Sequence, residues 1–329
     1  LAGLLGIWHL AVVAALISLL SIGFDVAYQS YLPSLVERAE LVEGNSKLTA
    51  ANAVAEVAAF SAGGWLVQLV TGPIAILVNT VTFLLSALFI GRIRTPEPPP
   101  APVAEDASIR AEIVEGLRLI TFDRTLRALA GSNALISAGY GIGGTIFLLY
   151  VNQEVGFDAG ILGMVFAVGG VSALAGAIAA ARLAFFPIGT LMITTLIIWA
   201  GGQALVPLVT SVSVVSIILL VGQQLITDSA ATVYDINQVR LRQAITPDRL
   251  LGRVNASVRV LELAVTLAAT VVTGLISEMV GLRAMLVVEA ALLIVAAIWL
   301  VMSPVRHLRS QPALPDPGLE EHLTHGDTA

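Results

Sequence analysis

The chain has 329 residues, of which 57% are hydrophobic and 12% charged, and its mean hydropathy is +0.90. A water-soluble domain cannot bury so large an apolar share, so the composition points to a lipid environment. A formal net charge of -6 without a basic patch argues against nucleic acid as a partner, and the absence of cysteine removes disulfides, thiolate metal sites and redox pairs.

Segments apolar and long enough to cross about 30 Å of hydrocarbon as helices recur along the whole chain. In order they are Ile7 to Tyr31, Leu48 to Thr71, Pro73 to Gly91, Leu126 to Val151, Gly160 to Ala181, Phe185 to Leu208, Val212 to Val233, Val254 to Ser277 and Ala284 to Met302. Barrel strands would be shorter and would alternate apolar with polar residues, so these spans predict an all-α polytopic membrane bundle. Leu1 to Gly6 reads as the end of a preceding apolar segment, neither a signal peptide nor a basic start. After the third span, Thr95 to Ala107 carries five prolines and several acids and predicts a solvated linker. From Ser108 the pattern turns helical, with Ile109, Ile113, Leu117 and Ile120 on one stripe and Arg110, Glu112, Glu115 and Arg118 around it. This is either an interfacial amphipathic helix or a surface helix leading into the next span.

Alternating the loops places every cation except Arg283 on one face of the membrane, opposite short loops bearing Glu154, Asp158 and Glu278. The basic face is then expected to be cytoplasmic, which puts the C-terminus inside a plasma-membrane protein. An internal repeat accompanies this topology: Leu41, Asn45 and Gly64 match Leu251, Asn255 and Gly274 at an offset of 210 residues, and Gly44 and Gly72 find Gly252 and Gly281 nearby. An offset of six spans implies halves of six helices, and counting back leaves about nine of twelve. The expected organisation is 1–93 as the remainder of a first half (the end of its third helix and helices four to six), 94–125 as a cytoplasmic linker with its amphipathic helix, 126–303 as a complete second half and 304–329 as a polar cytoplasmic tail.

Ionisable groups within spans each cost about 2.5–3.5 kcal/mol at a helix centre, so they face protein or water and carry functional weight. They are Asp25, Glu56, Asp228, Arg259, Glu262 and Glu289. The carboxylates Asp228, Glu289, Glu56, Glu262 and Asp25 are candidates for a transport path, where an acid can exchange protons and attract a cation. Asp228 follows Gln223 and Gln224 by one turn, which predicts a wet helix face. Arg259 and Glu262 stand three apart and are equally read as a local ion pair. The histidines His9, His307, His322 and His325 lack metal-site spacing, and there is no Gly-x-x-x-x-Gly-Lys-Ser/Thr phosphate loop, so neither a metal, a cofactor nor enzymatic chemistry is expected.

The strongest local pattern is Tyr234 to Asn255, read as an inner loop. Its run Thr246-Pro-Asp-Arg-Leu-Leu-Gly-Arg-Val-Asn-Ala256 resembles the loop between helices ten and eleven in the exporter branch of the major facilitator superfamily, the branch that includes enterobactin-type siderophore exporters. Tyr31-Leu-Pro33 through Leu48-Thr-Ala-Ala-Asn52, and Glu115-Gly-Leu-Arg118 with Leu126-Arg127, resemble the loop after helix four and the start of helix seven. The resemblance makes the first full span helix four, in agreement with the repeat count. It implies two halves rocking about a midplane site, a small-molecule substrate, coupled protons and a monomer in the bilayer. The antiporter-type motif Gly-Pro-x-x-Gly-Gly departs here to Ala59-Phe-Ser-Ala-Gly-Gly64, which weakens the case for antiport. Asp248, Arg249 and Arg253 are candidates for an ion-paired inner latch, with Gly252 allowing a tight turn before the helix; a solvated basic loop is the alternative. The functional expectation is a proton-coupled exporter of small amphipathic molecules, of drug or siderophore type. Its competitor is a non-transporting sensor or an inactive remnant lacking three helices.

Overall fold

The structure is a computed structural model that describes residues 41–70, 72–93 and 109–308, with positions 6, 9, 12–21 and 24. The described residues form helices and connecting turns, with no strand among them. A short apolar helix α1 (Val12–Ser21) is followed by α2 (Leu41–Val70), α3 (Gly72–Ile90), the linker helix α4 (Ile109–Phe122) and α5 (Arg124–Leu149), which ends in a π-helical turn at Tyr150–Glu154. Then come α6 (Ala159–Arg182), α7 (Ile188–Gln203), α8 (Val214–Ile245), α9 (Asp248–Val280) and α10 (Leu282–Val301). Among the described residues, 7 helices are long and apolar enough to cross a membrane.

The chain divides into two compact units, Leu1–Ala55 with Ile76–Val103, and Glu56–Ala75 with Ala104–Ala329. In the first, α3 buries no residue and presents Ile76, Leu77, Phe83 and Leu84 outward, as a helix that is apolar all round must when lipid is its solvent. The second unit has a layered core. Met192, Leu196, Tyr234, Leu241, Ala296 and Leu300 pack α7, α8 and α10 together, and Ile146, Tyr150, Phe157, Leu220 and Leu286 fill the other end of the bundle.

Helix ends follow from local chemistry. Asp123 caps α5 by accepting from the backbone N–H groups of Thr125 (2.8 Å) and Leu126 (2.7 Å), an arrangement worth about 1 kcal/mol. Gln68 on α2 caps α6 from outside, its Oε1 accepting the Gly160 N–H at 2.8 Å. The repeat pairs that share a 210-residue offset fall on equivalent elements: a 30-residue α2 then a 19-residue α3, and a 33-residue α9 then a 20-residue α10. Gly281 joins α9 to α10 at φ 88°, a left-handed conformation that favours glycine.

The stretch Tyr234 to Asn255, expected as a loop, is almost all helix. The α8 helix runs on to Ile245 instead of ending near Val233, and α9 begins at Asp248. Only Thr246 and Pro247 interrupt. The proline ring holds Thr246 extended (φ -103°, ψ 126°), and the Thr246 hydroxyl donates to the Arg242 carbonyl at 2.7 Å, satisfying one end of α8. Arginine and glutamine are good helix formers, so the polar composition marked departure from the apolar layer and not from the helix. Gly252 is therefore not a turn residue: it lies exposed inside α9, and Thr246-Pro247 makes the break.

Small residues bring α6 and α8 into close contact. A Cβ on Gly176 would stand 2.6 Å from the Ser229 carbonyl oxygen, and the helices exchange hydroxyl bonds, Ser172 to the Leu225 carbonyl (2.7 Å) and Ser229 to the Ser172 carbonyl (2.9 Å). Replacing Gly176 with Val is expected to force these helices apart and to destabilise the bundle by about 1–3 kcal/mol. A thermal melt of the purified protein in detergent checks it, and an unchanged midpoint would refute the close approach.

Candidate functional site

The apolar helices of the second unit enclose a cavity of about 250 Å³ whose wall is drawn from α5, α6, α7, α8 and α10. Glu289 of α10 reaches it, only 7% exposed. Space for this side chain comes from α5: a Cβ on Gly143 would fall on the Glu289 carboxylate. Gln203, at the end of α7, shares the cavity wall with that carboxylate and accepts a long 3.4 Å hydrogen bond from Gln223 Nε2 on α8. Gln223 Nε2 also donates to Thr227 Oγ1 at 3.1 Å, and the Thr227 hydroxyl donates to the Gln223 carbonyl at 2.9 Å. Gln223 Nε2 thus donates in both directions, to Thr227 within α8 and to Gln203 across to α7.

Asp228 lies on the same cavity wall, one turn beyond Gln224, where glycine at 169 of α6 leaves room for both side chains. The remaining wall is aromatic. Tyr140 and Trp199 meet at 5.7 Å between ring centroids, and Phe147 and Phe166 at 5.6 Å, both pairs tilted by 59°. Among the described residues, the lining contains two carboxylates and no basic residue.

Glu262 belongs elsewhere. It accepts from Asn133 Nδ2 at 2.9 Å and stands 3.7 Å from Arg259, the i,i+3 partner that the spacing suggests. Asn133 also donates to Gln238 Oε1 (3.3 Å), which accepts from Arg242 (3.2 Å), while the Tyr234 hydroxyl lies within hydrogen-bond reach of Ser132 Oγ (2.9 Å) and Asn133 Oδ1 (3.1 Å). These groups form a second polar layer between α5, α8 and α9, nearer the basic helix ends.

At those ends, Arg253 of α9 makes an ion pair with Glu115 of the linker helix. Gly116 allows the approach, since a Cβ there would meet the Arg253 carbonyl at 2.6 Å, and Ile120 packs on Val254 and Val258. The side chains of Asp248, Arg249 and Glu56, and all of Asp25, lie outside the described residues. Of the candidate carboxylates, the fold brings Asp228 and Glu289 together on one cavity and assigns Glu262 to the second layer.

Sequence reasoning missed Gln203, Trp199, Tyr140, Asn133 and Arg242 as site residues. Trp199 and Gln203 are one helical turn apart, as are Gly139 and Gly143, so a polar or small residue at i,i+4 beside an aromatic was the available signal.

Residues 1–235 match the Major Facilitator Superfamily profile, more than half of the chain. The fold is similar to the crystal structure of a bacterial homologue of the iron transporter ferroportin in its inward-facing state, with a TM-score of 0.61 and 18% identity. That alignment covers 83% of this chain, and the chain spans 65% of the other protein's length. No curated protein matches the sequence.

Replacing Asn133 with Leu removes the donor shared by Glu262 and Gln238 and leaves acceptors without partners. A loss of about 1–3 kcal/mol in stability is expected, read as a lowered midpoint of thermal unfolding in detergent. A midpoint at the wild-type value would show that water satisfies this layer.

Proposed function

The chain belongs to the major facilitator superfamily and is a multi-pass membrane protein, and on that premise we propose that it exports small amphipathic molecules, of drug or siderophore type, against an inward flow of protons. The observation that carries this reading is the convergence of Glu289 and Asp228 on one cavity, among whose described lining residues there is no base. A carboxylate at membrane depth is expensive, and two on one wall favour a cation or a proton in turn. Protonation removes the attraction for a cationic cargo and deprotonation restores it, so cargo and proton exchange at the same groups. The long apolar helices rock as bodies and expose the cavity to either side. Glu262 is proposed as a secondary proton acceptor in the polar layer between cavity and basic end, and Glu56 and Asp25 as acids of the other half.

The iron named for the ferroportin homologue is less suited to this wall, where aromatic rings and glutamine amides surround the carboxylates and favour an organic molecule. The acidic, aromatic lining also suits a drug-type cargo better than an anionic siderophore.

Positive-inside topology puts the basic helix ends in the cytoplasm. There, Arg253 and Glu115 are proposed as a latch between the linker helix and α9, with Asp248 and Arg249 contributing at the start of α9 and exposed Gly252 leaving that surface unobstructed.

Efflux of a panel of dyes and siderophore-like compounds from cells expressing the protein tests the reading. Efflux is expected to collapse with a protonophore and to fall at least tenfold in Glu289→Gln and in Asp228→Asn. Efflux untouched by both substitutions would make these carboxylates structural. Absence of efflux for every compound would favour the non-transporting sensor or remnant. For the latch, Arg253→Glu and Glu115→Arg singly are each expected to slow efflux severalfold, and the double swap to restore it; failure of the swap to rescue would remove the latch.

A further inference from the structure

Two buried oxygen acceptors on the cavity wall have no protein donor: Glu289 Oε2 and Gln223 Oε1. Both residues are more than nine-tenths buried, at 7% and 5% exposure. The orientation of the Gln223 amide follows from its neighbours. The Thr227 hydroxyl proton is committed to the Gln223 carbonyl, so Thr227 Oγ1 can only accept from the Gln223 side chain, and that places Nε2 toward Thr227 and Oε1 away from it. Gln203 Oε1 likewise accepts from Gln223, so its amide nitrogen points away from Gln223. Both N–H groups of Gln223 are therefore used within the protein, and what Gln223 and Glu289 leave over is acceptor capacity. An unsatisfied buried acceptor is costly, more so when charged, and two on one cavity wall call for a ligand that donates.

The surroundings narrow that ligand further. Asp228 adds a second acid, the described lining residues include no lysine, arginine or histidine, and the tilted pairs Tyr140 with Trp199 and Phe147 with Phe166 offer ring faces and edges to an apolar body. At about 250 Å³ the cavity falls below the range of about 300–1,000 Å³ typical of drug-sized sites, which limits the ligand to a compact molecule.

We propose that this cavity binds a compact protonated amine with an aromatic body, a primary or secondary ammonium whose N–H groups donate to Glu289 Oε2 and Gln223 Oε1 while its ring packs between the aromatic pairs. This rests on reading the cavity as the substrate site and names the class of substrate. A quaternary ammonium carries the same charge and shape but has no N–H, and it leaves both acceptors unmet. A carboxylate of the same size is repelled. Hydrogen-bond donation therefore sets the selectivity of this site, beyond what charge attraction alone would give.

Isothermal titration of the purified protein in phosphatidylcholine nanodiscs at neutral pH separates these terms, with β-phenylethylamine, its N,N,N-trimethyl derivative and 3-phenylpropionate as probes. The primary amine is expected to bind saturably, the quaternary analogue at least tenfold more weakly and the carboxylate not at all. Glu289→Gln is expected to weaken the amine at least tenfold. Gln223→Leu is expected to weaken the amine by a similar factor and the quaternary analogue much less, narrowing the gap between them, which general misfolding would not do. Equal binding of amine and quaternary analogue by the wild-type protein, or no saturable binding of the amine, would overturn the proposal. Proteoliposome counterflow of the same labelled amine separates it from the export reading: saturable, donor-selective binding without counterflow supports the site and sinks export, whereas counterflow of other compounds with no amine binding sinks the site and leaves export standing.

Discussion

Burying the carboxylate of Glu289 within apolar helices is the constraint to which the rest of the second unit answers. Without water, such a group needs room and a donor. Room comes from α5, where glycine at 143 allows α10 to bring the carboxylate against the α5 backbone. Amides stand nearby on the same wall: Gln203, at the very end of α7, is held by Gln223, which also donates to Thr227. Four helices thus meet around one acid. The aromatic pairs line the rest of the wall and give it an apolar surface beside the acid.

The same demand for partners organises the second polar layer, by other means. Asn133 bonds to Glu262 and Gln238 and lies within reach of the Tyr234 hydroxyl, and Arg259 and Arg242 flank the layer on the side of the basic helix ends. Because no lipid can supply a hydrogen bond, the helices that carry these groups must pack closely. Gly176 and the serine pair Ser172 and Ser229 achieve this for α6 and α8, and Gly64 against Gly163 does so for the second half of α2. Polar residues inside the bundle therefore specify which helices meet, while the apolar ones supply area without much selectivity.

Toward the basic ends the balance changes, since water is at hand and charge can be carried on long side chains. There α8 and α9 extend well past the apolar layer as helices, separated only by Thr246 and Pro247, and the linker helix docks through Gly116, Ile120 and the pair of Glu115 with Arg253. Tying the linker to α9 by an ion pair and a small apolar contact gives a junction that can be broken and remade without unfolding either helix. The short turn Pro304–His307 is anchored in the same region, with Val305 buried against α7.

The long apolar runs of the chain were enough to determine an all-α membrane bundle, because crossing hydrocarbon demands length and hydrophobicity that composition reveals directly. The repeat of α2 with α3 in α9 with α10 left a trace for a related reason, since Leu41, Asn45 and Gly64 on α2 keep the spacing of Leu251, Asn255 and Gly274 on α9. Expensive acids such as Asp228 and Glu289 were legible one at a time, as exceptions to the apolar pattern. What the tertiary structure decided was which exceptions meet: Glu289 with Asp228 across some sixty residues of sequence, and Glu262 with Asn133 instead of the cavity. It also decided that the polar stretch after Val233 is helix, because helical propensity and solvent exposure are compatible and hydropathy reports only the second. Pairing between helices depends on rotation about each helix axis and on close approach at single glycines such as Gly143. Those are properties of neighbours in space, which no linear pattern within one helix contains.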